Sequence, residues 1–172
     1  MNPGPDTAET MPPPAGVTRD VAPDLSHPER LGRYRLVHRI GMGGMGVVFV
    51  GHDELLDREV AIKLLFRREG PSDAQTRLLR EAQALARLAH PNVIAVHEVA
   101  EFEGYVFIVM ELVVGQTMRA WLGERARPQA ELLGVMQQAG QGLAALHAAG
   151  LVHRDVKPDN IMVGTDGRVR MM

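Results

Sequence analysis

The sequence predicts an α+β fold in which strands come first and a long helix follows. Three runs rich in β-branched or aromatic residues, Tyr34 to Ile40, Val47 to Val50 and Val60 to Leu65, lie close together and are separated by glycines or charged turns. Further on, Leu132, Met136, Ala139, Leu143 and Leu146 recur at i, i+4, i+7, i+11 and i+14, which is one face of a helix. Composition narrows the classes of function. With 172 residues, 45% of them hydrophobic, and a net charge of −2, the chain reads as globular, with no basic excess to attract nucleic acid. It has no cysteine, which excludes disulfides, thiolate metal sites and cysteine nucleophiles. No run of roughly eighteen apolar residues suggests a membrane segment, and no basic start with an apolar core suggests a secretory signal. A cytoplasmic location is the expectation.

Taken in order, residues 1–30 hold Pro3, Pro5, Pro12, Pro13, Pro14, Pro23 and Pro28 and no aromatic residue, so a disordered Pro-rich tail is expected. Order is expected from Leu31. Tyr34, Leu36 and Ile40 fall on even positions with Arg33, Arg35 and Arg39 between them, the alternation of a half-buried strand. The strand runs into Gly41-Met42-Gly43-Gly44-Met45-Gly46. A G-x-G-x-x-G alone is a weak signal, because dinucleotide-binding folds use the same letters to open a helix. Here Val47 to Val50 follow, β-branched and aromatic, so the glycines join two strands and the dinucleotide reading fails. The segment is either a plain glycine hairpin or one whose backbone comes close to phosphate oxygens.

The third strand, Val60 to Leu65, carries Lys63 among apolar neighbours. Such an ammonium either faces solvent or needs an anion. A helix is expected from Ser72 or Asp73 to Ala89, stopped by His90-Pro91-Asn92, with Leu78, Ala82, Leu85 and Ala89 as its apolar stripe. Glu81 sits at the edge of that stripe, available to Lys63 or to Arg77 and Arg80 on its own surface. Two strands, 93–99 and 105–112, are expected around a turn at Gly104, then a short helix over 117–122. Pro128 starts the long helix and Gly150 ends it as a C′ glycine. Next comes His153-Arg154-Asp155-Val156-Lys157-Pro158-Asp159-Asn160, a loop because Pro158 forbids helix. Asp155 could take a proton from a hydroxyl, Lys157 could neutralise charge on a group in transit, and Asn160 could bind a metal ion. Two short strands, 161–163 and 169–172, close the chain around Asp166-Gly167.

The order and spacing of these motifs resemble the eukaryotic-like serine/threonine protein kinases of bacteria, over about 31–172. The resemblance rests on the glycine hairpin with Val48, on Val60-Ala61-Ile62-Lys63, Glu81 and Val109-Met110-Glu111-Leu112-Val113, and on the Asp155-x-Lys157-Pro158-x-Asn160 loop. It implies a two-lobed fold: a small antiparallel lobe with one helix over 31–112, then the hinge and the start of a mainly helical lobe over 113–172. The implied activity is transfer of the γ-phosphoryl of ATP, with Mg2+, to a protein hydroxyl. Asp155 would be the base, Lys157 would steady the γ-phosphate, and Asn160 would hold magnesium. Lys63, paired with Glu81, would hold the α- and β-phosphates. Ile40, Gly41, Gly43 and Gly46 would cover the nucleotide, and Val48, Ala61 and Met162 would sandwich adenine. Met110 would sit behind the base, with the backbone of Glu111 and Val113 on its edge. The sequence contains no D-F-G and no A-P-E. For these 172 residues the alternative is therefore a catalytically silent module that binds nucleotide or partners, with an exposed apolar patch along the Leu132–Leu146 stripe.

Overall fold

The computed structural model describes residues 27–44, 46–66, 80 and 82–172. Strands β1 (Arg30–Leu31), β2 (Tyr34–Gly43), β3 (Gly46–Asp53), β4 (Arg58–Leu65), β5 (Val96–Phe102) and β6 (Tyr105–Met110) form one antiparallel sheet in the order β1-β2-β3-β4-β6-β5. A second sheet, in the order β7-β8-β9, is built from β7 (Gly115–Thr117), β8 (Ile161–Gly164) and β9 (Val169–Met171). Beside it lie helices α1 (Met118–Glu124) and α2 (Gln129–Ala148). This is the small curled β lobe of the expected fold with part of the helical lobe. Of the proline-rich stretch, only residues 27–30 fall inside the described part. There the His27 ring lies 4.5 Å from that of Phe49, and Arg30 opens β1.

Register explains where the sequence patterns hold. β3 and β4 pair without a break from Gly46↔Leu65 to Asp53↔Arg58. β2 against β3 slips twice, skipping Val37 between Leu36 and His38 and Ile40 between Arg39 and Gly41. Each skipped residue is the extra one of a β-bulge, and each bulge turns the following residues over. The expected alternation therefore holds at Tyr34, which is buried, and breaks at Ile40, which is 51% exposed. The first core lies on one face of the sheet, with Leu31, Tyr34, Phe49, Val60, Ile62, Phe107 and Val109 at its centre. Glu103 and Gly104, at φ 50° and 76°, join β5 to β6 as a two-residue turn with both φ positive, which matches strand twist.

Two expected elements are shorter than predicted. Residues 82–85 are helical, and then Arg87 and Leu88 donate to Ala84 and Leu85, three residues back, so the helix tightens and stops before Ala89. The start of that helix and Glu81 lie outside the described residues. The strand expected from Val93 begins at Val96, because residues 92–94 pair with β9 instead: Met171 N–H donates to Asn92 O and Ile94 N–H to Met171 O, both at 2.9 Å.

Thr117 caps α1, its hydroxyl accepting from Ala120 N–H at 3.2 Å. Pro128 is the N-cap of α2. At the other end Leu151 N–H reaches Leu146 O and Gly150 N–H reaches His147 O, with Gly150 at φ 75°; this Schellman closure is the expected C′ glycine. The buried face of α2 is Val135, Ala139, Gly142 and Leu146, rotated from the predicted stripe so that Met136 is 54% exposed. Gly142 accounts for the rotation. A Cβ there would lie 2.2 Å from Asn92 O, so the helix makes its closest approach at a residue an apolar count passes over. The exposed large apolar residues of α2 are Leu133 and Met136, a narrower patch than the whole stripe. Among the described residues, no helix is long and apolar enough to cross a membrane.

Candidate active site

Between Leu151 and β8 the chain makes a loop tied by several hydrogen bonds of its own. Asp155 N–H donates to His153 O at 2.8 Å across Arg154, whose φ of 62° makes this a tight three-residue turn. That turn aims Asp155 toward the rest of the loop. Asp155 Oδ2 accepts from Lys157 Nζ at 2.7 Å and from Asn160 Nδ2 at 2.8 Å, and Asn160 Nδ2 also reaches Asp155 O at 2.8 Å. Pro158 opens a 3₁₀ turn, Pro158–Asn160, which Asn160 N–H closes on Lys157 O and which swings the amide back over the acid. Asp155, Lys157 and Asn160 are thus brought together. Hydrogen bonds from Lys157 and then Asn160 hold the Asp155 carboxyl below the usual carboxylate range.

Neighbouring contacts pin the loop in place. His153 Nε2 donates to Met172 O at 2.6 Å, leaving Nδ1 to accept from Asp155 N–H at 3.3 Å. Met172 N–H returns a bond to Asn160 O at 2.9 Å. Arg119 of α1 grips Asp159 through two bonds of 2.6 and 2.7 Å.

The first sheet supplies a second group of candidate residues. Directly opposite residues share a face, so Val48↔Lys63, Lys63↔Ile108 and Ala61↔Met110 put these five side chains on one face. Val47, Phe49, Ile62, Leu64 and Val109 line the other face, which is the first core. Ala61 and Ile108 are buried, while Val48, Lys63 and Met110 are half-buried. Burial pushes the Lys63 ammonium below its ordinary pKa, which favours an anion beside it.

The glycines of the hairpin divide by role. A Cβ on Gly46 would strike Leu64 O at 2.2 Å, so this glycine serves the close approach of β3 to β4. At Gly43 and Gly44 an added Cβ meets nothing within 4 Å, leaving room for a ligand beside the backbone. A Cβ added at Gly41 would meet Val48 at an ordinary contact distance, 3.8 Å. Beyond β6, Glu111 N–H donates to Ala95 O at 2.8 Å. Among the described residues, no hydrogen bond outside the strand ladders uses Glu111 O or Val113 N–H. These two groups suit the edge of a heterocyclic base. Met162 lies half-buried on β8, opposite Thr117 and Arg170.

The residue that sequence reasoning missed is Arg170. It is 3% exposed on β9, with Nε 2.8 Å from Glu111 Oε1 and Nη2 2.8 Å from Asp166 Oδ2. A Val-Arg-Met alternation does show that one side chain differs from its neighbours, yet nothing in the letters says that the arginine points inward. For magnesium the fit is poor. Asn160 has only Oδ1 left to offer, and among the described residues no group of three or more His, Asp or Glu could hold a metal.

Residues 34–172 match the family model described as a protein kinase domain. The probable serine/threonine-protein kinase PknB of Lactococcus lactis is 40% identical over 143 residues, covering 81% of this chain and 23% of that protein. PknE of Mycobacterium bovis is 40% identical, over 80% of this chain and 25% of its own length. Serine/threonine-protein kinase PrkC of Bacillus subtilis is 37% identical, over 81% and 22% respectively. The chain therefore spans about a quarter of the length of the curated relatives it matches. Among solved structures, the kinase domain of PknI from Mycobacterium tuberculosis superposes with a TM-score of 0.71 at 30% identity, covering 83% of this chain and 59% of that one.

Proposed function

Because the chain belongs to the protein kinase family, we propose that it is the nucleotide-binding and catalytic-loop part, 31–172, of an enzyme that transfers the γ-phosphoryl of ATP to a protein serine or threonine. Residues 31–112 form its small lobe, and 113–172 its hinge and the first part of its large lobe. The observation that carries the proposal is the convergence of Lys157 and Asn160 on one oxygen of Asp155, in a chain that also carries Lys63 on a sheet face beside Val48, Ala61 and Met110.

In this mechanism the base of ATP lies between Val48 and Ala61 on one side and Met162 on the other. Ile40, Gly41, Gly43 and Gly46 cover the nucleotide, with Met110 behind the base. Glu111 O and Val113 N–H meet its edge, and Lys63, with Glu81, holds the α- and β-phosphates. Asp155 accepts the hydrogen bond of the attacking hydroxyl and orients it. Since Lys157 and Asn160 make this carboxylate a weak base, it takes the proton late, as the oxygen–phosphorus bond forms and the bond to the β-phosphate oxygen breaks. The remaining N–H donors of Lys157 Nζ meet the charge on the group in transit. Magnesium, when bound, would neutralise phosphate charge; Asn160 Oδ1 would supply one ligand, and the described residues do not complete the set.

Radiolabelled ATP tests the proposal in two polypeptides side by side: the 172-residue chain, and a version extended through a D-F-G segment and a full large lobe. The expected result is no measurable transfer by the short chain and transfer by the longer one, reduced about 10²- to 10⁴-fold by Asp155→Asn. Transfer by the longer protein that survives Asp155→Asn would overturn the assignment. Nucleotide binding by the short chain with no transfer by either would favour a silent binding module instead.

A further inference from the structure

Two segments far apart in sequence and in different sheets meet here: the residue after β6, which leads to the base-binding backbone proposed above, and β9. One side chain joins them. Arg170 is buried, and its guanidinium is split between Glu111 Oε1, 2.8 Å from Nε, and Asp166, bonded at 2.8 Å through Nη2 and 3.2 Å through Nη1. An arginine this buried draws on both carboxylates, because a buried cation that lacks a partner costs heavily. Glu111 is tied at two points, by its side chain to Arg170 and by its N–H to Ala95 O. Those two ties fix the orientation of the Glu111 carbonyl, which makes no such bond among the described residues. On the ladder, Arg170 lies directly opposite Met162, so the same side chain borders the residue proposed to close over the base.

We propose that Arg170 is a positioning residue for the nucleotide base: it acts through Glu111, with Asp166 as its second anchor, and sets affinity for the base independently of the phosphates. This rests on the nucleotide-site reading above, and the test separates the two. Binding of ADP and of adenosine to the 172-residue chain is measured by calorimetry for the parent and for Arg170→Met, Glu111→Met, Arg170→Lys and Lys63→Ala. The expected result is that Arg170→Met and Glu111→Met each weaken ADP and adenosine by the same factor, about fivefold, with one site per chain retained. Arg170→Lys recovers part of the loss, since an ammonium can keep one of the two carboxylates. Lys63→Ala weakens ADP about tenfold or more and leaves adenosine unchanged, because its contact is with phosphate. A role confined to folding would lower the number of sites, not shift affinity for the two ligands in parallel.

Parent-like adenosine affinity in folded Arg170→Met and Glu111→Met, with Lys63→Ala still weakening ADP, would overturn the inference and leave the site standing. Should Arg170→Met fail to fold, Glu111→Met decides, since Arg170 there keeps Asp166. A parent chain that binds neither ligand overturns the nucleotide site, and this inference with it.

Discussion

The two sheets of this molecule are held together in different ways. The six-stranded sheet satisfies its own backbone through long ladders, and its core is almost wholly apolar, with Leu31, Val60, Ile62 and Val109 fully enclosed. In the second sheet, β7 and β9 have three residues each and cannot do the same. The outward backbone groups of β9 are met from outside the sheet. Val169 N–H donates to Gln138 Oε1 at 2.9 Å, Val169 O accepts from Asn92 Nδ2 at 2.8 Å, and Met171 bonds to Asn92 O and Ile94 N–H. Asn92 and Gln138 also bond each other at 3.1 Å. Short strands place their stability in a few polar side chains; long strands place it in area buried. The residues proposed for chemistry straddle the two regimes, with Lys63 on the first sheet and the Asp155 loop leading into the second.

Truncation of the apolar core should give the largest effect. Ile62→Ala removes a fully buried side chain and should cost about 2–5 kcal/mol, seen as a lower urea midpoint for the first sheet. A loss well under 1 kcal/mol would mean that the sheet does not depend on burial as described. Sharper, though smaller, is Asn92→Ala, which strands Val169 O and should cost about 1–3 kcal/mol. Hydrogen exchange should quicken at the Val169 and Met171 amides and stay unchanged in β3 and β4; uniform quickening would erase the distinction between the regions.

The gentlest probe is acid. Two arginines, Arg170 first and then Arg168, hold the Asp166 carboxyl well below the ordinary range. A depressed folded-state pKa gives stability that is fully present above the unfolded value, near 3.8, and lost as pH falls through the lower folded value. Below about pH 4, Asp166→Asn should therefore flatten the decline in stability of the second sheet. An unaltered acid limb would remove Asp166 from that balance.

By itself the sequence determined the class of fold and the identity of most elements. Strand runs, the helix ended by Gly150 and the loop forced by Pro158 are written in local periodicity and in residues with restricted backbones. It also named Asp155, Lys157 and Asn160 as a group, because their partners lie within five residues of one another. Where the local code was incomplete, register decided: bulges at Val37 and Ile40 exposed both side chains, and Gly142 turned α2 about the Asn92 carbonyl. Only the tertiary structure could show the junction, in which Asn92 meets Val169 and Arg170 meets Glu111 across about sixty to eighty positions of chain. A polar residue facing inward looks the same in sequence as one facing water. What separates them is whether a partner waits at hydrogen-bonding distance, and for residues so far apart only the folded chain supplies that.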